Sequence, residues 1–201
     1  MAKLRNQRII PFILVIVIVI IAIAALVSLA RAVFFSDRPT EVAITDTSRQ
    51  QLLAVTADSS VRMTVRGPIV ADEEFNSYSV VVSPSRRAMT TYTGYLDTIV
   101  DQVNYGNNSA AYEEFVYALD KAQYATGKQL DEDEDDTRGV CALGRVYEFY
   151  ILDGSDVTKR LWTTSCRGLN GSLRADATHL RNLFHAQIPE SNSLLTKIDI
   201  R

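Results

Sequence analysis

The segment from Cys141 to Cys166 constrains the fold most strongly, because its sequence predicts a β-hairpin closed by its own disulfide. Asp153-Gly154 lies between two runs rich in β-branched and aromatic residues, which is the strongest short-range signal for a two-residue type I′ turn. With that turn the two cysteines lie directly opposite each other, at a position where paired Cα atoms are about 4.5 Å apart. We therefore predict a Cys141–Cys166 disulfide; the alternative is two unrelated free thiols.

The same register brings four arginine and aromatic residues together on one face of the hairpin. Arg145 would pair with Trp162 and Tyr147 with Arg160, and each pair can form a cation–π contact. Tryptophan, tyrosine and arginine are frequent anchors of binding interfaces, so these four residues form a candidate binding face. The sequence favours the alternative that a helix covers this face, with the arginine stems packed against the sheet.

The N-terminal region predicts a membrane anchor. Residues 1–8 contain three basic residues and no acid, and the 22 residues 9–30 contain no charge. A helix of that length spans about 33 Å, enough for a bilayer core of about 30 Å, and the positive-inside rule keeps the basic N-terminus in the cytoplasm. We therefore predict a cytoplasmic segment 1–8, a transmembrane signal anchor 9–30 in contact with the lipid bilayer, a juxtamembrane linker 31–45 and an extracytoplasmic domain 46–201.

A cleaved signal peptide is the alternative to an anchor, since small-x-small triplets occur near residue 30. The apolar region of a signal peptide normally has about 7–15 residues, which is shorter than the run in this chain. Both interpretations export the remainder of the chain, and structural disulfides persist in oxidising compartments. The predicted export and the predicted disulfide therefore agree with each other.

The exported part of the chain is acidic. All 24 acidic residues follow residue 35, whereas four of the 21 basic residues precede it. The 17 basic and 24 acidic residues that remain give a net charge of −7. Nucleic-acid binding requires a basic surface, so we expect no nucleic-acid partner.

Six consecutive acidic residues, 131–136, suggest a cation site as one interpretation. Asp131, Asp133 and Asp135 have the alternate-residue spacing of a calcium-binding loop. That template requires glycine at its sixth position and glutamate at its twelfth, where this chain has Asp136 and Ala142. The sequence therefore favours a solvated acidic loop, and we expect no bound metal.

Local periodicity predicts a mixed fold. In addition to the hairpin, alternating apolar residues predict strands at 61–65, 77–83 and 88–95. Helical spacing predicts helices at 47–57, 96–103, 110–125 and 173–187. The tail, 194–200, is interpreted as a terminal edge strand. We therefore predict an α+β fold, in which an antiparallel sheet of about five strands carries two main helices on one face.

The sequence contains no recognisable catalytic signature. His179 and His185 are six residues apart in one predicted helix, so they do not point the same way and lack the spacing of zinc ligands. No nucleophile elbow or P-loop is present, and we expect no cofactor. We therefore predict a membrane-anchored, non-catalytic module that binds an envelope protein or a cell-wall component. The alternative is an extracytoplasmic hydrolase of envelope polymers, which a deep polar cleft lined by convergent His, Asp or Glu would favour.

Two segments carry a resemblance to known proteins. VTKRLWTTSC (157–166) and LRNLFHAQIP (180–189), together with the layout of anchor, small domain, disulfide hairpin and C-terminal helix, resemble single-pass extracytoplasmic proteins of reduced-genome candidate-phylum bacteria. No activity is assigned to that group. The resemblance implies a bacterial source and an exported, disulfide-containing domain, and it implies no mechanism.

Overall fold

Six antiparallel strands form the centre of the domain. The computed structural model describes residues 17–25 and 47–200 except 129, 132 and 170. The strands are β1 (Ser59–Arg66), β2 (Asn76–Val82), β3 (Arg86–Thr93), β4 (Thr98–Gly106), β5 (Val146–Asp153) and β6 (Asp156–Thr164). They form one antiparallel sheet in the order β4-β3-β2-β1-β5-β6. The predicted α+β fold is confirmed, with six strands instead of about five.

Short helices flank this sheet. Within the described residues they are α1 (Ser48–Leu53), a 3-10 helix (Asp72–Glu74), α2 (Ser109–Lys121), α3 (Ala177–Ala186) and α4 (Ser191–Leu195). The two longest begin at polar caps. The Asn108 side chain accepts a hydrogen bond from the Ala111 amide, and the Asp176 carboxylate accepts from the amides of Thr178 and His179. Such caps satisfy amide groups that the first turn of a helix leaves unpaired.

The α-helices contribute to one hydrophobic core against the sheet. In β1, Val61, Met63 and Val65 are buried while the intervening side chains are only half-buried, because successive side chains of a strand point to opposite faces. Phe184 of α3 packs edge-to-face on Phe115 of α2, with ring centroids 5.3 Å apart. The alternation predicted from sequence therefore selects the face of the sheet that the helices cover.

The helix predicted at 96–103 is wrong, because most of this segment belongs to β4. The apolar residues fit a helical period, but Thr98, Ile99 and Val100 are β-branched and favour extended backbone. Asp97 has a φ of 53°, which is incompatible with a continuous right-handed helix. Pairing with β3 then supplies the backbone hydrogen bonds of the strand.

The C-terminal region also differs from the prediction. Helix α3 begins at Ala177 and not near Leu173, because Asp176 caps it and Leu173 forms a β-bridge with Gly127. The predicted terminal edge strand at 194–200 is wrong, because it would begin inside α4, which residues 191–195 form. The edges of the sheet are instead β4 and β6.

The predicted hairpin exists, but its predicted register is wrong. Asp153 pairs with Asp156, so Gly154 and Ser155 form the turn. Within this turn only Gly154 has a positive φ, 59°, which is the pattern of a type II′ turn and not of type I′. A β-bulge between Ile151 and Leu152 shifts the pairing once more. As a result, Trp162 lies opposite Glu148 instead of Arg145.

The predicted disulfide is confirmed, although it does not bridge the strands. Cys141 and Cys166 are bonded with a Cα–Cα distance of 5.6 Å. They lie before the start of β5 and after the end of β6, where loop backbone absorbs the change of register. Cys141 adopts a positive φ of 57°, which belongs to a loop conformation and not to a strand. The bond therefore joins the two loops at the open end of the hairpin.

The N-terminal segment forms a separate unit, Met1–Thr45. Its residues 17–25 are helical and exposed. No helix among the described residues has both the length and the apolar character that a membrane crossing requires. The remainder of the predicted anchor, 9–16 and 26–30, lies outside the described residues, as do the predicted segments 1–8 and 31–45.

Candidate functional site

A polar pocket opens where α3, α4 and the C-terminal segment meet the sheet. Its volume is about 480 Å³. Tyr78 of β2 and Val65 of β1 form its floor, Arg181 and His185 come from α3, and Arg145 comes from the residue before β5. The remaining lining residues are Asn182, Asn192, Leu195, Ile198, Asp199 and Ile200. We call this site the basic pocket.

Two guanidinium groups dominate the polar lining of the basic pocket. One Nη of Arg145 donates a hydrogen bond to the Ile200 carbonyl at 3.0 Å. The Nε atoms of Arg145 and Arg181 are buried, and neither finds an acceptor within the described part of the chain. A buried donor without an acceptor is costly, and each guanidinium carries further N–H donors that can bind an anionic or carbonyl oxygen.

Tyr78 and His185 form a neutral pair beside the arginines. A hydrogen bond of 2.9 Å joins the Tyr78 hydroxyl to Nε2 of His185. Burial, together with the charge of Arg181, lowers the pKa of His185 to about 4. Burial also raises the pKa of Tyr78. Near neutral pH both groups are uncharged, so the positive charge of the pocket comes from the arginines.

The lowered pKa of His185 predicts a pH-dependent stability. Below about pH 6.5 the unfolded chain binds a proton at this histidine that the folded protein excludes, so stability decreases as the pH falls towards 4. The ring remains partly exposed, so we expect a loss of about 1 kcal/mol between pH 7 and pH 5. Urea unfolding at both pH values measures it. His185→Gln should remove this loss. His179→Gln, at an exposed position, is the control and should retain it. The same loss of stability between pH 7 and pH 5 in both variants would contradict the prediction.

The structure separates the four residues of the predicted binding face. Arg145 reaches the basic pocket, and Tyr147 is buried in the core on the same face of the sheet. Arg160 and Trp162 lie on the opposite face, because the shift in register reverses their orientation. The predicted pairs Arg145/Trp162 and Tyr147/Arg160 are therefore wrong, and only Arg145 belongs to the site described here.

The acidic loop packs on the helix-free face of the hairpin. Asp135 accepts a hydrogen bond from the Trp162 indole at 2.9 Å and pairs with Arg160 at 2.7 Å. Asp131 and Asp133 remain exposed. Across the described residues, no group of three or more His, Cys, Asp or Glu side chains could hold a metal ion. Asp135 thus has a structural role. Asp131 and Asp133, the other two residues of the predicted calcium pattern, do not form a cation site with it.

A buried ion-pair network underlies this loop. Glu148 is 2% exposed. Its Oε1 lies 2.5 Å from Nη2 of Arg160, and its Oε2 lies 3.2 Å from Nε of Arg66. Burial alone would raise the pKa of Glu148, but the hydrogen bond and charge of Arg160, assisted by Arg66, outweigh it and lower that pKa. Thr137 also donates to Glu148. The network fixes the loop to the sheet and has no access to the basic pocket on the other face.

Sequence reasoning missed most of the basic pocket. From the sequence, His185 was assigned no role and was only excluded as a zinc ligand, but it is half-buried against Tyr78. One local signal was available, since Arg181 and His185 are four residues apart and therefore share one face of α3. Nothing in the sequence places Tyr78 or Arg145 beside that face, because Tyr78 lies in β2 and Arg145 directly precedes β5, both far from α3 along the chain.

The fold and the basic pocket define a small α+β domain with an arginine-lined cavity. In comparisons with known proteins, no family model matches this chain and no curated protein is significantly similar to it. Function must therefore be argued from the site itself, since a fold alone does not determine an activity.

Proposed function

We propose that this protein is a membrane-anchored extracytoplasmic module that binds an envelope protein or a cell-wall component through the basic pocket, without catalysis. One observation carries the proposal: Arg145 and Arg181 both line one solvent-open cavity, and the buried Nε donor of each lacks an acceptor among the described residues. Charge-assisted hydrogen bonds from such groups are among the stronger polar contacts in binding.

The chain's sequence supports the membrane and export parts of the proposal. Residues 9–30 form an uncharged run after a basic N-terminus, which is typical of an anchor with a cytoplasmic N-terminus. The Cys141–Cys166 disulfide is the kind of bond that persists outside the cytoplasm. Both features favour a domain that faces the envelope.

The composition of the basic pocket favours binding over the alternative, hydrolysis. Among its described lining residues none is Ser, Thr or Cys, and Asp199 is the one carboxylate. Covalent catalysis requires a nucleophile beside a base, and glycoside hydrolysis usually requires two carboxylates. His185 and Asp199 in one pocket are the observation that favours a hydrolase, and that alternative predicts turnover that is lost in His185→Gln.

Site-specific photo-crosslinking tests the binding function. We expect the full chain carrying p-benzoylphenylalanine at position 182, an exposed rim residue, to capture a partner in native membranes. A chain with the same probe at Asp156, at the exposed hairpin tip, is the matched control and should capture none. Adding Arg181→Gln to the position-182 chain should abolish capture, because the arginine holds the partner.

Two results would contradict the proposed function. One is capture from position 182 that equals capture from position 156 or survives Arg181→Gln. The other is a domain that external protease digests only after the cells are lysed, which would place residues 46–201 in the cytoplasm.

A further inference from the structure

We infer that the basic pocket recognises a carboxylated sugar, with the carboxylate held by Arg145 and Arg181 and a hydroxyl group held by Asn192. This inference rests on the proposed function and names the chemistry of its ligand. The partner is accordingly a cell-wall polymer with acidic sugar units, and not a protein.

The arginines specify an anionic oxygen group. A guanidinium is planar and offers parallel N–H donors that match a carboxylate in a two-point contact. Arg145 uses one Nη for the Ile200 carbonyl, and its Nε and that of Arg181 have no acceptor among the described residues. Two arginines that line the same cavity are expected where a single anionic group binds.

The charge of the pocket favours a carboxylate over a phosphate. Among its described lining residues, the formal charges are those of the two arginines and Asp199, since the low pKa of His185 keeps that ring neutral near pH 7. Their charges sum to about +1, which complements the single negative charge of a carboxylate. A phosphate monoester carries a charge of about −1.5 to −2 at pH 7 and would meet the Asp199 carboxylate as well.

The rest of the pocket matches the body of a sugar. Asn192 offers an amide that can donate to one hydroxyl and accept from another. Leu195 and Ile198 supply an apolar wall for the C–H face of a ring. A cavity of about 480 Å³ lies within the size range of small-ligand sites, and a free phosphate would fill only a small part of it.

Calorimetric titration of the full chain in detergent micelles tests the inference, with glucuronate, glucose and inorganic phosphate as probes at pH 7. We expect glucuronate to bind with a Kd of ~1 mM, as befits a single sugar unit, and glucose to bind at least tenfold more weakly. Arg181→Gln should weaken glucuronate binding at least tenfold, because a charge-assisted two-point contact is lost. Arg86→Gln, which removes the same charge at an exposed position on β3, should leave binding unchanged.

Arg145→Gln provides a second variant in case Arg181→Gln fails to fold, and thermal unfolding of both verifies the fold. Glucose binding as tight as glucuronate binding, equal losses in Arg181→Gln and Arg86→Gln, or binding of phosphate without glucuronate would each overturn the inference. Crosslinking from position 182 combined with no glucuronate binding would reject the ligand class alone. Glucuronate binding without any crosslink would instead reject the proposed role in the envelope.

Discussion

Glu148→Gln should lower the free energy of unfolding by about 3 kcal/mol, because it removes the buried negative charge that compensates half-buried Arg160. Glu148 is 2% exposed and joins Arg160 and Arg66. Breaking a buried ion pair by removing one partner typically costs about 3–5 kcal/mol. We expect the lower end of that range, since Asp135 still pairs with Arg160 at 2.7 Å. Urea unfolding monitored by circular dichroism measures the change.

Asp120→Asn is the matched control for this prediction, because it makes the same chemical change in an exposed ion pair. Asp120 receives Arg49 in a two-point contact of 2.7 and 2.8 Å, and the Arg49 side chain is 69% exposed. Exposed pairs typically contribute less than about 1 kcal/mol. An equal decrease in the free energy of unfolding in the two variants would mean that burial does not strengthen the ion pairs of Glu148.

Replacing both cysteines, Cys141→Ser with Cys166→Ser, should lower the free energy of unfolding by about 2–3 kcal/mol and the Tm by roughly 5–10 °C. The bond spans a sequence separation of 25 residues, and the chain-entropy estimate for such a loop is about 3 kcal/mol. The hairpin holds part of this loop together without the bond, which reduces the loss. Differential scanning calorimetry measures the shift.

Reductant provides the control for the disulfide prediction. Reduction should lower the Tm of the unmodified protein by a similar amount and leave the Tm of the double variant unchanged. A native protein that titrates with two free thiols, or whose Tm does not respond to reductant, would show that the bond is absent from the folded molecule.

Local patterns in the sequence were sufficient for most of the elements. Alternation at Val61, Met63 and Val65 identified β1, and the stripe of Tyr112, Phe115 and Leu119 identified α2, because these periods depend only on neighbouring residues. The prediction from local patterns was wrong where a segment with the apolar spacing of a helix forms a strand. Residues 96–103 fit a helical spacing, but the unpaired edge of β3 accepts them as β4, and backbone pairing outweighs the apolar spacing.

The hairpin shows how a small local error spreads through a predicted site. Placing the turn at Gly154-Ser155 instead of Asp153-Gly154, and adding one bulge, changes the partner of every residue in β5. A shift by an odd number of residues exchanges the faces of a strand. Trp162 and Arg160 therefore lie beneath the acidic loop, while Arg145 remains on the helix-covered side.

By itself, the amino-acid sequence determined the α+β class, the partners in the disulfide, and the uncharged N-terminal run, because each depends on composition or on spacing within one segment. Only the tertiary structure decided the basic pocket. Tyr78, Arg145 and Arg181 come from three separate parts of the chain, and their proximity follows from the order of strands in the sheet and from the docking of α3. Long-range packing of this kind leaves no periodic trace in the sequence, so the site could be recognised only after the chain was folded.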